Sequence, residues 1–125
     1  MRQELDDLLC QRYPDIFCDR QNSAEQTGMR WGFECGDGWF DIINDLCAEV
    51  SAHVAAGDMP VVVATQVKSK VGSLRFYFNS RASNPLACAL VEEAQRRSEV
   101  TCEQCGGYFA EGSDRMRRHH SCDAK

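Results

Sequence analysis

Residues 60–78 read PVVVATQVKSKVGSLRFYF, and this stretch decides the fold. Its first part is rich in β-branched residues, which favour strands, and its second part alternates apolar with polar side chains. Gly72 lies between the two parts, where a tight turn needs a residue that accepts a positive φ. The pattern predicts a β-hairpin whose second strand places three apolar side chains on one face: Leu74, Phe76 and Phe78.

The segments around the hairpin carry helical patterns. Apolar residues recur at helical spacing over residues 39–56, and Asp37 stands in front of them as a candidate N-cap. A short amphipathic pattern predicts a helix over residues 3–12. The Asn84-Pro85 pair predicts the start of a third helix, over about residues 86–98, because asparagine is a good N-cap and proline suits the first helical turn.

A further strand is predicted over residues 29–35, which alternate large apolar and polar side chains. Two or three strands with helices before and after them indicate an α+β domain. We therefore expect a small antiparallel sheet packed with helices over residues 1–100, followed by a separate C-terminal module over residues 101–125.

Eight of the 125 residues are cysteine. Five are scattered singly, several of them inside apolar patterns, whereas three lie near the C-terminus beside histidines. This distribution favours free thiols and metal ligands in a reducing compartment over a framework of disulfide bonds. The scattered cysteines are Cys10, Cys18, Cys35, Cys47 and Cys88.

The formal net charge of −5 is distributed unevenly. Residues 1–60 carry four basic and twelve acidic side chains, whereas residues 61–125 carry ten and seven. The acidic half disfavours general affinity for nucleic acid, and the mildly basic half permits a local contact. The sequence shows neither a secretory pattern nor an apolar stretch of about 18 residues, so we expect a cytoplasmic protein without membrane contact.

Cysteine and histidine residues at metal-ligand spacing occupy the C-terminal segment. Cys102 and Cys105 are three positions apart, which lets a tight turn direct both thiolates at one tetrahedral ion. His119 and Cys122 are also three apart and would share one face of a helix. Because four protein ligands leave no open coordination position, the sequence predicts one structural Zn²⁺ rather than a catalytic metal.

The spacing over residues 102–122 resembles a Cys-Cys-His-Cys variant of the Cys₂His₂ ββα zinc finger. Phe109 and Met116 take the positions of the core aromatic and core aliphatic residues of such fingers. Only two residues separate the last two ligands, where three to five are usual. That departure leaves a choice between His119 and His120, of which His119 is favoured because it shares a helix face with Cys122.

Two charged surfaces are candidates for binding a partner. Carboxylates recur every four residues along the central helix, where a solvated face is the simpler interpretation and an acidic docking ridge is the alternative. Basic side chains cluster on or beside the hairpin, where they either contact phosphate or an acidic partner or are ordinary exposed charges of a hairpin. The carboxylates are Asp37, Asp41, Asp45 and Glu49, and the hairpin cations are Lys68, Lys70, Arg75 and Arg81.

Catalytic groups are few. Cys35 lies at a strand-to-helix turn, where a helix N-terminus lowers a thiol pKa, but a nucleophile also needs a base. His53 is the only histidine outside the C-terminal segment. A buried cysteine is therefore favoured, and we predict no enzymatic activity. Aromatic residues at strand and helix spacing are interpreted as core rather than as pocket lining: Trp31, Phe33, Trp39, Phe76, Tyr77 and Phe78.

Three stretches resemble a group of small phage and prophage proteins of uncharacterised function. They are WGFECGDGW at 31–39, the strands from Thr65 to Tyr77, and EAQRRS at 93–98 followed by TCEQCG at 101–106. The resemblance spans about residues 30–106 and implies a phage or prophage origin. It implies no particular activity, but such an origin favours proteins that bind and disable host machinery.

The sequence thus predicts a non-enzymatic, zinc-binding phage or prophage protein that modulates or inhibits a host protein or ribonucleoprotein. An anti-defence inhibitor of the anti-CRISPR type is one form of this prediction. The alternative is a zinc-finger regulator that binds nucleic acid through the predicted finger helix. Its contacts would come from Arg115, Arg117 and Arg118.

Overall fold

The computed structural model describes residues 1–18, 29 and 32–107 of the chain. These residues form an α+β fold with a three-stranded sheet and three helices. In chain order the elements are α1 (Gln3–Arg12), β1 (Phe33–Glu34), α2 (Phe40–Ala56), β2 (Val62–Lys70), β3 (Ser73–Ser80) and α3 (Pro85–Glu99). The predicted helices and the hairpin are confirmed. Of the predicted strand over residues 29–35, the described residues 29 and 32–35 contain only the two residues of β1 in strand conformation.

The sheet has the strand order β1-β2-β3 and is mixed, so the prediction of an antiparallel sheet is wrong for β1. β2 and β3 pair antiparallel, whereas β1 pairs parallel with β2, with Phe33 opposite Val67. The reason is the connection: α2 lies between β1 and β2 and returns the chain to the start of the sheet, which makes the two strands run in the same direction.

The β2–β3 hairpin turns at Val71 and Gly72, whose φ angles are 53° and 74°. Two successive residues with positive φ match the right-handed twist of the flanking strands. On the core side, Val67 lies opposite Phe76 and Ala64 lies opposite Phe78. The register shifts between Ala64 and Gln66, which places a bulge in β2.

Helix α2 begins one turn later than its predicted cap. A 3₁₀ turn over Asp37–Trp39 precedes the helix, Trp39 occupies the N-cap position, and no side chain caps it. The prediction that Asp37 caps α2 is therefore wrong. The Asp37 carboxylate instead accepts a hydrogen bond from the backbone N–H of Arg2 at 2.7 Å and pairs with its guanidinium at 2.9 Å. The helix ends at Gly57, whose φ of 83° suits glycine.

Helix α3 begins as the sequence predicts. The Asn84 side chain accepts a hydrogen bond from the Ala87 N–H at 3.2 Å, and Pro85 occupies the first helical position. The same side chain donates to the Pro60 carbonyl at 3.2 Å, which ties the helix start to the strand β2 region. One cap residue thus fixes both the start of α3 and its position beside the hairpin.

The core lies between the inner face of the sheet and the helices α2 and α3. Its largest fully buried side chain is Trp39, at the start of α2, and α1 contributes the fully buried Leu9. Along α2 the buried residues follow the helical period: Ile42, Ile43, Leu46, Cys47 and Val50. Within the described residues, no helix is both long and apolar enough to cross a membrane.

Candidate metal centre

The Cys102–Gly107 segment forms a tight turn closed by two backbone hydrogen bonds. The Cys102 N–H donates to the Gly107 carbonyl at 2.7 Å, and the Gly106 N–H donates to the Cys102 carbonyl at 2.9 Å. Gly106 follows the second cysteine and has a φ of 80°, a conformation that glycine adopts without strain. The turn therefore carries both described cysteines of the predicted site, with a glycine where the backbone reverses.

Both sulfur atoms accept a hydrogen bond from the amide two residues later. The Gln104 N–H donates to Cys102 Sγ and the Gly107 N–H donates to Cys105 Sγ, both at 3.4 Å. Hydrogen bonds to ligand atoms orient the ligands of a metal site and adjust their donor strength. Cys102 is buried and Cys105 is half-buried, so the pair is only partly accessible to solvent. This geometry suits a pair of zinc-binding thiolates.

Glu103, between the two cysteines, holds this turn against the rest of the fold. Its carbonyl oxygen accepts a hydrogen bond from the Gly38 N–H at 2.7 Å. Its carboxylate accepts two more, from the Gly36 N–H and from the Ser69 hydroxyl, both at 2.8 Å. Hydrogen bonds to a charged acceptor are among the stronger ones in proteins. One side chain thus links the cysteine turn to both the turn before α2 and strand β2.

Gly36 and Gly38 allow this contact because they have no side chain. A Cβ atom on Gly36 would lie 2.3 Å from the Glu103 carbonyl oxygen, and one on Gly38 would lie 2.2 Å from the Cys102 carbonyl oxygen. The adjacent Trp39 donates from Nε1 to the Thr101 carbonyl at 3.0 Å and is fully buried. The Gly-Asp-Gly-Trp sequence is therefore a backbone surface on which the cysteine turn docks.

The described part of the chain contains two of the four predicted ligands. Within residues 1–18, 29 and 32–107, no group of three or more histidine, cysteine or acidic residues is arranged to hold a metal ion. His119, its alternative His120, and Cys122 lie outside the described residues, as does the predicted finger helix. The four-ligand zinc site and the separate module over residues 101–125 therefore stay predictions.

Of the four carboxylates in the predicted acidic ridge, two form ion pairs with arginines of the same chain and two are exposed. Asp37 pairs with Arg2, and Asp45 pairs with Arg97 of α3 at 2.7 Å. Asp41 and Glu49 are exposed. Two of the four carboxylates are thus engaged within the chain, which lowers the charge that the ridge presents to a basic partner.

The predicted hairpin cations are arranged differently. Lys68 and Arg75 lie directly opposite each other on β2 and β3, and Lys70 is the last residue of β2. Within the described residues none of the four hairpin cations, Arg81 included, forms an ion pair. Like charges at directly opposed positions repel each other, so the chain keeps this arrangement at a small cost in stability.

The aromatic residues are mostly core, as the sequence predicts. Phe33, Trp39 and Phe76 are buried, and Phe78 packs against the core from its rim. Tyr77 differs, because 45% of it is exposed. Trp31 lies outside the described residues.

The candidate nucleophile is buried, and the candidate base lies beside a neighbouring carboxylate. Burial, with a smaller contribution from the Glu103 carboxylate, raises the pKa of the Cys35 thiol to about 12, so this thiol is protonated at neutral pH. His53 Nδ1 lies 3.1 Å from the Asp58 carboxylate at the end of α2. The local geometry thus supports the interpretation of Cys35 as a buried apolar residue.

Sequence reasoning missed Glu103 and the docking role of the two glycines. A signal was present: two glycines flank a single residue directly before a large aromatic residue, and glycine at such positions often permits a close backbone approach. Nothing in the sequence identifies which segment approaches, because the partner residue lies far along the chain. No family model, curated protein or solved structure was found that matches this chain.

Proposed function

We propose that this protein binds one structural Zn²⁺ through Cys102, Cys105, His119 and Cys122, and that the metal stabilises a small non-enzymatic binding protein. The observation that carries the proposal is the cysteine turn, in which an amide donates to each sulfur and Gly106 reverses the backbone. A turn of this kind supplies one pair of ligands to a tetrahedral site. The second pair of ligands is His119 and Cys122, whose spacing of three positions would place both on one face of a helix.

Zinc would act on the whole fold because the turn is attached to the core. Glu103 connects the cysteine turn to Gly36, Gly38 and Ser69. Metal binding at the cysteines would therefore favour the turn conformation in which these hydrogen bonds form. Binding that occurs only in the folded state adds to its stability. The role of the metal is therefore to stabilise the fold. The surfaces of α2 and the hairpin are the parts that contact a partner.

The partner in this proposal is a host macromolecule, protein or ribonucleoprotein, in the cytoplasm of a bacterial host. The resemblance to phage and prophage proteins supports that assignment, and an anti-defence inhibitor is its most specific form. The buried and protonated Cys35 thiol supports a binding role over nucleophilic catalysis. A nucleic-acid-binding zinc-finger regulator remains the second candidate, with Arg115, Arg117 and Arg118 as its contacts.

Metal analysis tests the first half of the proposal. Native mass spectrometry of the purified chain is expected to show one zinc ion, and Cys102→Ser and Cys122→Ser are expected to lose it. Cys88→Ser is the matched control, because Cys88 is exposed on α3 and belongs to no predicted ligand set. His119→Ala and His120→Ala decide between the two histidines. Wild-type protein that carries no zinc would overturn the proposal.

Pull-down from host lysate tests the second half. A specific partner that is retained by Cys88→Ser and lost by Cys102→Ser would assign the binding surface to the zinc-stabilised segment. A partner retained by both variants would assign it to α2 and the hairpin instead. If no host factor is enriched over a control protein of similar charge, the binding function fails even where zinc is present.

A further inference from the structure

The side chains of the β2–β3 hairpin that alternate with its core residues form what we call the outer face. Val67 and Phe76 lie opposite each other and are buried, so the next pair, Lys68 and Arg75, points to the other side of the sheet. Tyr77 follows Arg75 by two residues and lies on the same side. Lys68 Nζ lies 5.9 Å from the centroid of the Tyr77 ring, which confirms that they share a face.

Among the described residues, the outer face carries three cations and one carboxylate, Glu34. Lys68, Arg75 and Arg81 form no ion pair within the part of the chain that the structure describes. The Nε atom of Arg75 is buried and has no hydrogen-bond partner within the described residues. Glu34 of β1 lies directly opposite Lys68, and its carboxylate accepts a hydrogen bond from the Gln66 amide at 3.3 Å and forms no ion pair with Lys68.

An apolar depression extends the outer face towards the end of β3. Val63 lies opposite Asn79 on the outer side of the hairpin, and both line a depression of about 540 Å³ together with Val61, Ser80 and Arg81. Tyr77 lies between this depression and the Lys68–Arg75 pair. The surface therefore carries one exposed aromatic ring, amide side chains and cations on both sides of the ring.

We propose that the outer face of the hairpin binds single-stranded nucleic acid, with Tyr77 stacked on a base and Lys68, Arg75 and Arg81 in contact with phosphates. An aromatic ring within a row of cations on a sheet surface suits unpaired bases, whose faces are exposed, and tolerates any base. From Arg75 to Arg81 the chain advances about 20 Å at 3.3 Å per residue, which is the rise of about six stacked nucleotides. This proposal goes beyond the zinc site and uses none of its ligands.

The first test measures fluorescence anisotropy of labelled twelve-nucleotide poly-dT and poly-U with the full-length protein as purified. Binding is expected at 50 mM salt, with a slope of about −2 for the logarithm of affinity against that of salt concentration, because three phosphate contacts contribute about 0.7 each. Affinity is then about 20-fold lower at 200 mM salt. A duplex of the same length is expected to bind more weakly, because its bases are not available to Tyr77.

Variants of the outer face separate stacking from charge. Tyr77→Ala is expected to weaken binding at least about fivefold, whereas Tyr77→Phe keeps the ring and binds as the wild type does. Lys68→Ala is expected to reduce the slope of the salt dependence by about 0.7. Arg96→Ala is the control, because it removes one exposed cation of α3 that pairs with Glu93. Thermal melts monitored by circular dichroism establish that each variant is folded.

Three results would overturn the proposal. The first is the absence of binding to either oligonucleotide at 50 mM salt. The second is binding that Tyr77→Ala leaves unchanged while labelled poly-L-glutamate binds equally well, which would indicate a surface for acidic polypeptides. The third is binding that Arg115→Ala abolishes and the outer-face variants do not, which would assign it to the C-terminal segment. The zinc content is independent of all three.

Discussion

The backbone N–H of Gly38 donates a hydrogen bond of 2.7 Å to the carbonyl oxygen of Glu103. This bond joins the turn before α2 to the turn that carries Cys102 and Cys105, although the two turns lie far apart in the sequence. The geometry of the cysteine turn therefore depends on the packing of the core. Substitutions in the Gly-Asp-Gly-Trp sequence should therefore change the conformation of the turn that carries Cys102 and Cys105.

Replacing Gly38 by alanine is expected to destabilise the fold and to weaken zinc binding. The added Cβ would lie 2.2 Å from the Cys102 carbonyl oxygen and 2.5 Å from the Gly106 nitrogen, both of which are backbone atoms. Because neither atom can rotate away, the turn must shift, at a cost of about 1–3 kcal/mol. Urea denaturation followed by tryptophan fluorescence, with zinc competition by a chelator, measures both effects.

Gly57→Ala is the matched control for that substitution. Gly57 has a φ of 83° and open space around its Cα, so alanine there meets conformational strain of about 1 kcal/mol without a clash. Zinc affinity should be unchanged in Gly57→Ala and reduced in Gly38→Ala. Equal zinc affinities in the two variants would contradict the coupling between the turns.

Glu103→Ala is expected to cost more stability than Ser69→Ala. The glutamate accepts hydrogen bonds from the Gly36 N–H and from the Ser69 hydroxyl, whereas the serine substitution removes only the second. Both are hydrogen bonds to a charged acceptor, which contribute about 1.5–3 kcal/mol each, so Glu103→Ala loses two such bonds and Ser69→Ala loses one. Urea denaturation at pH 7 gives both values, and the reverse order would refute the assigned role of Glu103.

Val71→Asn is expected to stabilise the hairpin. Val71 is 56% exposed and has a φ of 53°, a conformation that a β-branched residue adopts only with strain and that asparagine tolerates. The free energy of unfolding should rise by about 1 kcal/mol. Val100→Asn is the control, because Val100 is 50% exposed and its φ is −112°. If the two variants shift the melting temperature equally, strain at the turn is not the cause.

The cysteines should differ in their reactivity towards iodoacetamide. Burial raises the pKa of Cys35 to about 12 and raises that of Cys47 as well, so almost no thiolate of either forms at pH 8. Cys88 is exposed and should react before both of them. Peptide mapping by mass spectrometry after short labelling measures the order. Labelling of Cys35 as fast as that of Cys88 would reopen the nucleophile hypothesis.

The same thiols predict a loss of stability in alkaline solution. In the unfolded chain they ionise near pH 9, whereas in the folded chain they keep their protons to higher pH. Their contribution to stability is complete below pH 9 and decreases above it, by up to about 1.4 kcal/mol per pH unit for each thiol. Urea denaturation at pH 8, 9 and 10 should show this decline, and it should be shallower in Cys47→Ala. An equal decline in that variant would exclude the thiol at Cys47 as a cause.

Local signals predicted most of the secondary structure correctly. The hairpin, α2 and the Asn84 cap of α3 depend on residues within a few positions of one another, so periodicity and turn chemistry were sufficient. The prediction that Asp37 caps α2 was wrong because its carboxylate binds the backbone N–H and the guanidinium of Arg2, near the N-terminus. The cysteine turn was found from its spacing alone, and its predicted second ligand pair lies outside the described residues.

The sequence by itself determined the hairpin, the three helices and the cysteine pair, because each is encoded in side chains a few residues apart. Only the tertiary structure decided the parallel pairing of β1, the docking of Glu103 on Gly36 and Gly38, and the exposure of Tyr77 beside the hairpin cations. Those features depend on the path of the chain between distant segments. That path is set by burial of the core around Trp39, which no short stretch of sequence specifies.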